Sequence, residues 1–326
     1  MKEVIAAIKK HKRFLITAHI NLEGDSLGSQ LAMKELLSAM GKSAYILDND
    51  PVPAHYMFLP KADEVSTDLL TAEDFDVAVV VDCPTLKRTG LVAEVIKKKA
   101  KLVINIDHHV SNENFGDINW VDPHASSAGE MIYRLYKETG VKLIKETALS
   151  LYIAILTDTG SFNYENTSGA THKIAGELLG YGLDPALVSE SVYERRSLED
   201  IKLLALVLDT LKVNKDGTVA YMEVTKDMLE KTGADLAKSE GLINYARSID
   251  KVKVAVLFKE DLKDSNKINI SFRSKGDGIV VDVNKIASLF GGGGHTRAAG
   301  CVITGSLEEA KKKVLAGIDG SFRKKS

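Results

Sequence analysis

Three side chains that can bind a hard metal ion follow an apolar segment close to the beginning of the chain. His19, Glu23 and Asp25 come directly after the run Phe14–Ala18. An imidazole and two carboxylates at spacings i, i+4 and i+6 cannot all point to one face of a helix or of a strand, so a loop must gather them. Gly24 lies between the two carboxylates and permits such a turn. The stretch therefore predicts one part of a metal site.

Three later apolar segments end in residues of the same kind, which are Asp82, the triplet Asp107, His108 and His109, and Asp158. If the strands are parallel, their carboxyl ends form one edge of the sheet, which is where such sheets bind ligands. Five carboxylates gathered there would repel one another unless cations intervened. Carboxylates with a minority of imidazoles suit Mn²⁺ or Mg²⁺ better than they suit structural zinc. Because the ligands exceed the needs of one ion, we expect two divalent metals that share a carboxylate.

Each of these pieces has an ordinary interpretation when it is taken alone. A single Asp at a strand end is usually a cap or a turn residue, and a single His is an equally weak signal. Asp48 and Asp50 also lie near a strand end, but the neighbouring Pro51 and Pro53 indicate an ordinary turn, so we leave both out of the predicted site. The prediction depends on the joint occurrence of ligand types at four successive segment ends.

The segments that must position these residues alternate between strand and helix, which predicts an α/β fold with a parallel N-terminal sheet. Ser26 is the expected N-cap of the first long helix, and 119–123 is expected to begin a loop. Predicted strands cover 13–18, 42–47, 76–82 and 102–106, and predicted helices cover 2–10, 27–40, 91–99, 128–139, 147–156, 169–180 and 187–195.

The order of predicted strands and helices changes after the turn signal at 214–217. We expect a connecting helix through residue 211, and then strands at 219–224, 252–259 and 267–273 with helices at 236–247 and 283–290, followed by a last strand and helix. At 326 residues the length also favours about two domains. The predicted division is a metal-binding catalytic domain at 1–187, a connecting segment at 188–213 and a smaller α/β substrate-binding domain at 214–326.

A glycine run in the second half of the chain suggests a phosphate site. Four glycines at 291–294 precede His295 and Arg297, and Arg273 ends a strand in the same half. Glycine lets a ligand approach the backbone closely, and its N–H groups can bind a phosphate to which His and Arg add charge. The spacing fits neither a Walker loop nor a dinucleotide fingerprint. The simpler alternatives are a flexible helix end and a solvated arginine.

Composition limits the class of protein. The formal net charge of −2 gives no general attraction to nucleic acid or to anionic membranes. Cys83 and Cys301 lie far apart, so they predict neither a disulfide framework nor a thiolate zinc site. No apolar run approaches the ~20 residues of a membrane span, and the first residues lack a signal-peptide pattern. We expect a soluble cytoplasmic protein.

Five motifs in order make the chain resemble the DHH–DHHA1 phosphoesterases, in particular the nano-RNases and pAp phosphatases related to RecJ-type exonucleases and to dinucleotide phosphodiesterases. The motifs are HxxxEGD at 19–25, VVVDCP at 79–84, DHH at 107–109, TDTG at 157–160 and GGGGH at 291–295. The resemblance covers nearly the whole chain. It implies a DHH domain and a DHHA1 domain with the active site in the cleft between them.

The resemblance also assigns roles to residues. It implies that His19, Glu23 and Asp82 hold one Mn²⁺, whereas Asp25, Asp82, His108 and Asp158 hold the other. Asp107 would orient His108, and His109 would face the scissile phosphate. The implied substrate-binding set is His109, Arg273, Gly292, Gly293, Gly294, His295 and Arg297. The family usually has Asp where this chain has Glu23, and the extra methylene keeps the charge and the ligand type.

These observations predict a two-metal phosphoesterase that hydrolyses short nucleotides such as pApA, very short oligoribonucleotides or pAp, with no long nucleic-acid track and no membrane partner. Related proteins suggest a homodimer. One alternative is a c-di-AMP phosphodiesterase, and a pyrophosphatase is disfavoured by the GGGGH motif. From a different class, a catalytically silent nucleotide-binding regulator and a structural α/β protein also remain open, and metal titration with a turnover assay separates them from an enzyme.

Overall fold

The computed structural model describes residues 1–69, 74–234, 236–276 and 281–323 and divides into two compact units, Met1–Arg195 and Arg196–Ser326. The α/β fold class predicted from the sequence is confirmed, because the first unit contains a parallel sheet and the second contains a separate mixed sheet. Within the described ranges, no helix is long and apolar enough to cross a bilayer.

The first unit is built on six parallel strands in the order β3-β2-β1-β4-β5-β6. These strands are β1 (Arg13–Thr17), β2 (Ser43–Leu47), β3 (Val65–Ser66), β4 (Val77–Val81), β5 (Leu102–Asp107) and β6 (Ile118–Val121). The helices are α1 (Lys2–Lys10), α2 (Gly24–Ala39), α3 (Val92–Lys99), α4 (Ala128–Thr139), α5 (Lys145–Asp158), α6 (Gly169–Leu179) and α7 (Pro185–Ser189).

The strand order explains why the ligand-bearing segments meet. β1, β4 and β5 are consecutive neighbours in the sheet, and all three end at the same edge. The chain reverses its direction of strand addition between β1 and β4, and such a switch point opens a crevice at the carboxyl ends of the strands. The residues of β4 are fully buried, as expected for a strand covered on both faces.

The second unit has strands in the order β11-β12-β10-β9-β8-β7, in which only β8 and β9 pair in parallel among the described residues. The strands are β7 (Lys212–Val213), β8 (Val219–Val224), β9 (Val254–Glu260), β10 (Lys267–Ser274), β11 (Gly293–Gly294) and β12 (Ala298–Thr304). The helices are α8 (Leu198–Asp209), α9 (Lys226–Thr232), α10 (Ile243–Ser248), α11 (Val283–Ser288) and α12 (Leu307–Arg323).

Four local predictions are wrong. Ser26 is not the N-cap of α2, because Glu23 occupies that position and Ser26 lies inside the first turn. The expected loop at 119–123 begins instead with the edge strand β6. The helix predicted at 187–195 is the short α7 followed by a π turn at Glu190–Glu194, and the helix predicted at 236–247 begins as a 3₁₀ segment, Leu236–Leu242. The start of α2 follows from the reciprocal bonding of Glu23 and Ser26, and β6 forms because its residues pair with β5.

The core of the first unit depends on a close approach between α2 and α5. A Cβ atom on Gly28 would lie 2.3 Å from the carbonyl oxygen of Ser150 and 3.1 Å from Cβ of Ala154. Only glycine leaves room for this contact. Because α2 begins at the ligand loop and α5 ends at Asp158, the same contact sets the distance between two parts of the predicted site.

We therefore expect Gly28→Ala to destabilise the protein by about 1–3 kcal/mol, because the added methyl group overpacks the α2–α5 contact. Gly176→Ala is the matched control: its Cβ would meet no atom within 4 Å, so the change should stabilise α6 by about 0.5–1 kcal/mol. Urea unfolding of both variants measures the difference, and a Gly28→Ala protein as stable as the wild type would contradict this account.

Candidate metal centre

The loop between β1 and α2 is held from two sides. The backbone N–H of Ile20 donates to the carbonyl oxygen of Arg88 at 2.7 Å, and the N–H of Asn21 donates to Oδ2 of Asp50 at 2.8 Å. Asn21 has a φ of 61°, in the left-handed region where Asn is one of the few residues tolerated. These contacts turn the chain so that His19 faces the sheet edge before α2 begins.

Glu23 ends this loop as the N-cap of α2. Its N–H donates to Oγ of Ser26 at 2.9 Å, and that hydroxyl donates back to the carbonyl oxygen of Glu23 at 3.0 Å. The carboxylate reaches His19, with Oε1 lying 3.6 Å from Nε2, and the side chain is 45% exposed. Glu23 is therefore the most exposed of the predicted metal ligands.

Asp82 is the centre of the cluster. It follows β4, is 1% exposed and has a φ of 51°, which is strained for a residue with a Cβ atom. Oδ2 lies 3.3 Å from Nε2 of His19, and Oδ1 lies 3.5 Å from Nε2 of His108. The strained turn thus points the two oxygens of one carboxylate at two different imidazoles.

His108 lies among three carboxylates. Its Nε2 is 3.5 Å from Asp82, 3.6 Å from Oδ2 of Asp25 and 3.6 Å from Oδ2 of Asp158. Its Nδ1 is 3.3 Å from the carbonyl oxygen of Ala125, a contact that fits a proton on Nδ1 and leaves Nε2 to face the carboxylates. Asp25 is held at the start of α4, where the N–H groups of Ala128 and Gly129 donate to it at 2.7 Å and 2.9 Å. The positive end of that helix stabilises the carboxylate.

Asp107 pairs with His109, so the prediction that it orients His108 is wrong. Nδ1 of His109 lies 2.7 Å from Oδ1 of Asp107, and Nδ2 of Asn112 donates to Oδ2 of Asp107 at 2.5 Å. The reason is geometric: alternate residues at the end of an extended segment point to the same side, so positions 107 and 109 meet and 108 does not.

Like charges shape the pKa values of the cluster. Burial, with the charge of Asp82 close by, raises the pKa of Asp25 well above its usual range, and burial raises the pKa of Asp158 to about 6. Burial also opposes ionisation of Asp82, but His108 and His19 outweigh it and hold the pKa of Asp82 well below its usual value. At His19 the contacts with Asp82 and Glu23 outweigh burial, so the pKa of its imidazole is raised well above 6.5. Without metal, protons on the imidazoles balance part of the negative charge.

The donor atoms fit divalent ions. Two sets, His19 with Glu23 and Asp82, and Asp25 with Asp82 and His108, each place one atom per residue within 4.8 Å of the others. The separations of 3.3–3.6 Å are too long for good hydrogen bonds. They are close to the ~3.0–3.4 Å between neighbouring ligands of an ion bound at about 2.1 Å. Within the described ranges, Oδ2 of Asp82 is buried and accepts no hydrogen bond.

The second unit brings its predicted substrate residues together at one end of its sheet. The backbone of His295 pairs with that of Ala298 in a tight turn between β11 and β12, and the N–H of Ser274 donates to the carbonyl oxygen of Arg297 at 2.9 Å. Arg273 lies opposite Ala298 in the register of β10 and β12. Arg273, His295 and Arg297 are therefore neighbours, and their role as a phosphate clamp stays a prediction.

The glycines before this turn are not a loose helix end. A Cβ on Gly292 would lie 2.1 Å from the carbonyl oxygen of Gly300, and Gly294 has a φ of 147°. Gly293 and Gly294 form β11 and pair with β12. The run allows a backbone pairing that residues with side chains would prevent.

Sequence reasoning missed several residues that hold the ligands in place. Asp48, which we took for a turn residue, is 1% exposed and accepts from Oγ1 of Thr17 at 3.0 Å and from the N–H of Ala18 at 3.2 Å. Asp50 holds Asn21, and Asn112 holds Asp107. The only available signal was an Asp or Asn at the end of, or just after, a strand, which is as common in turns.

Comparison with known proteins agrees with the two-unit structure. The model of the DHH family N-terminal domain matches residues 13–155, and that of the DHHA1 domain matches residues 216–324. The bifunctional oligoribonuclease and PAP phosphatase NrnA of Bacillus subtilis is 32% identical over 320 residues, 97% of each chain. Its namesake in Thermus thermophilus is 32% identical over 93% of this chain and 88% of its own.

A solved structure shares the fold over nearly the whole length. The crystal structure of an exopolyphosphatase-related protein from Bacteroides fragilis superposes with a TM-score of 0.87 at 27% identity, covering 99% of this chain and 95% of that one.

Asp48 should make stability depend on pH. Burial, partly offset by the hydrogen bonds from Ala18 and Thr17, raises its pKa from 3.8 to about 6. Around and between these values the folded protein binds more protons than the unfolded chain, so the free energy of unfolding falls as pH rises through them, by about 3 kcal/mol in total and by about 2 kcal/mol between pH 4 and pH 6. Asp48→Asn keeps the accepting oxygen and cannot ionise, so it should lack this fall.

Urea unfolding of the wild type and of Asp48→Asn, at intervals from pH 4 to pH 8 with a chelator present, measures the effect. The metal ligands are common to both proteins, so their titration cancels in the difference. The difference should grow from pH 4 to about pH 7 and then stay constant, and parallel curves would show that Asp48 titrates normally.

Proposed function

Given that the chain belongs to the DHH–DHHA1 family of metal-dependent phosphoesterases, we propose that it hydrolyses short nucleotide substrates: very short oligoribonucleotides, dinucleotides such as pApA, and pAp. The names of its relatives in Bacillus subtilis and Thermus thermophilus, oligoribonuclease and PAP phosphatase, support these two substrate types. The near-neutral total charge supports short substrates, since an enzyme that follows long polymers benefits from a basic track.

The observation that carries the proposal is the position of Asp82. Its two oxygens face two different sets of donors, one with His19 and Glu23 and one with Asp25 and His108. Asp158 borders the second set, because its Oδ2 lies 3.6 Å from Nε2 of His108. A carboxylate in this position is suited to bridge two divalent ions. Oxygen-rich sets with one imidazole each favour Mn²⁺, with Mg²⁺ as the alternative.

When bound there, two divalent ions would supply charge stabilisation for phosphate-ester hydrolysis and would lower the pKa of the attacking water. The protein's own residues have complementary tasks. Asp107 accepts from Nδ1 of His109 and so fixes the ring, leaving Nε2 to contact the phosphate that is being cleaved. Asn112 holds Asp107 in place for this task. In our proposal no side chain forms a covalent intermediate.

We assign recognition of the rest of the nucleotide to the second unit. Arg273 and Arg297 supply positive charge and His295 supplies a further donor. Gly292, Gly293 and Gly294 contribute by allowing the pairing with β12 that holds the turn carrying His295 and Arg297. The side chains of Arg273 and Arg297 attach to the sheet end where β10 and β12 pair, which gives them a rigid base.

Asp82→Ala should abolish turnover of pAp and pApA, by at least about 10³-fold in kcat, because both donor sets lose their common member. Asp76→Ala is the matched control. Asp76 lies just before β4, at the opposite end of the same strand, and binds Arg13 and Lys101 at the surface. The control should keep wild-type activity with added Mn²⁺, and an active Asp82→Ala protein would contradict the two-metal proposal.

Arg273→Ala should weaken turnover of nucleotide substrates by about 10–100-fold in kcat/KM and leave a generic phosphodiester, bis-p-nitrophenyl phosphate, nearly unchanged. A charged hydrogen bond to phosphate is worth about 1.5–3 kcal/mol, which corresponds to this range. Lys267→Ala is the control, because Lys267 begins the same strand and pairs with Asp264. Equal losses on both kinds of substrate would argue against a clamp.

One substrate panel tests the proposal as a whole. It compares kcat/KM for pAp, pApA, c-di-AMP and oligoribonucleotides of graded length, with Mn²⁺ and with Mg²⁺. We expect activity to fall as the oligonucleotide lengthens. A preference for long RNA would contradict the proposal, and a preference for c-di-AMP would move the function to cyclic-dinucleotide turnover.

A further inference from the structure

Asn166 is bonded to a predicted metal ligand but was not part of the predicted site. Its Nδ2 lies 3.1 Å from Oδ2 of Asp158, 3.2 Å from the carbonyl oxygen of Asp158 and 2.8 Å from the carbonyl oxygen of Ser126. One amide group therefore connects the end of α5 to the segment that precedes α4. Oδ2 of Asp158 is also the atom that lies 3.6 Å from Nε2 of His108.

Asp158 needs such a donor because of its position. It is the last residue of α5, where the negative end of the helix dipole opposes a carboxylate. Asp25 is in the opposite situation, because it lies in the first turn of α2 and accepts from the start of α4. Within the described ranges, Asn166 provides the only hydrogen bond to the carboxylate of Asp158.

The anchor of Asn166 is itself fixed. Glu130, which is 2% exposed, accepts from the N–H of Ser126 at 3.2 Å and from its hydroxyl at 2.6 Å. Arg134 pairs with Glu130 and donates to Asp122 at 2.6 Å. The backbone of Ser126 is thus held by the buried Glu130, which Arg134 supports from the partly exposed side, and its carbonyl oxygen gives Asn166 a fixed second partner.

The same short segment therefore serves two carboxylates of one donor set. The N–H groups of Ala128 and Gly129 hold Asp25, and the carbonyl oxygen of Ser126 holds Asn166, which holds Asp158. A displacement of the start of α4 would move both carboxylates together. Residues that orient metal ligands in this way typically contribute 10–100-fold to metal affinity.

We propose that Asn166 is a positioning residue that holds Asp158 in its metal-facing orientation and so raises the affinity of the protein for the ion held by Asp25, Asp82, His108 and Asp158. The inference rests on the proposed metal centre. The Asn166 amide offsets the unfavourable effect of the C-terminal end of α5 on the carboxylate of Asp158. It donates to Oδ2 of Asp158 and not to Oδ1. Asn166 acts through Asp158 and is assigned no contact with substrate.

The test is a Mn²⁺ titration of the full-length protein without substrate, in which the EPR signal of free Mn²⁺ reports binding. Asn166→Ala should weaken one of the two Mn²⁺ binding steps by about 10-fold and leave the other unchanged. Asn163→Ala is the matched control, because Asn163 lies in the same loop and its amide donates to the carbonyl oxygens of Gly160 and Ser161 and touches no ligand. The control should bind Mn²⁺ as the wild type does.

A double-mutant cycle distinguishes positioning from a general structural role. In a protein that already carries Asp158→Ala, adding Asn166→Ala should cause no further loss of affinity. Urea unfolding with a chelator reports whether the metal-free fold is intact. If Asn166→Ala does not fold, Asn166→Ser is the second variant, because its hydroxyl is too short to reach Asp158.

The outcomes are separable. An affinity of Asn166→Ala within twofold of the wild type, or a loss that persists undiminished beside Asp158→Ala, would overturn the role of Asn166 and leave the metal centre standing. A wild-type protein that takes up neither Mn²⁺ nor Mg²⁺ would overturn the metal centre itself, and this inference with it.

Discussion

Mutual repulsion among carboxylates at one edge of a parallel sheet is the constraint on which the first unit depends. Asp25, Asp82 and Asp107 are at most 1% exposed, and Asp158 and Glu23 lie at the same edge. Buried charges of one sign are tolerated only if each has a partner of opposite charge or a set of donors. The loops, helix ends and amides around this edge are the donors that make the arrangement possible.

Each carboxylate has a different partner, and the differences indicate what each can do. Asp25 has the start of α4, Asp107 has His109 and Asn112, Asp158 has Asn166, and Glu23 faces His19 and is the most exposed of the five. Among the residues that the structure describes, the carboxylate of Asp82 faces imidazoles and the other carboxylates, and its backbone is strained. Strain of this kind is kept where the surrounding structure requires it and is common at functional sites. Asp82 is therefore the residue around which a two-metal site is most simply built.

Much of the fold followed from patterns of short range. Fully apolar runs such as 77–81 belong to strands covered on both faces, and parallel strands bring their ends to one edge. That is why residues far apart, His19, Asp82 and His108, were expected together. The start of α2 and the edge strand β6 were not anticipated. There the outcome depends on reciprocal bonding between Glu23 and Ser26, and on pairing of 118–121 with β5, which lies at a different place in the chain.

The sequence by itself determined the ligand types, their place after apolar segments, and the family, because these depend on composition and on order along the chain. Only the tertiary structure decided which side chain holds which. It pairs Asp107 with His109, and it forms hydrogen bonds from the N–H of Ala18 to Asp48 and from Asn166 to Asp158. Hydrogen bonds act over about 3 Å, so they depend on strand order and on contacts such as the one at Gly28, and no local pattern contains that information.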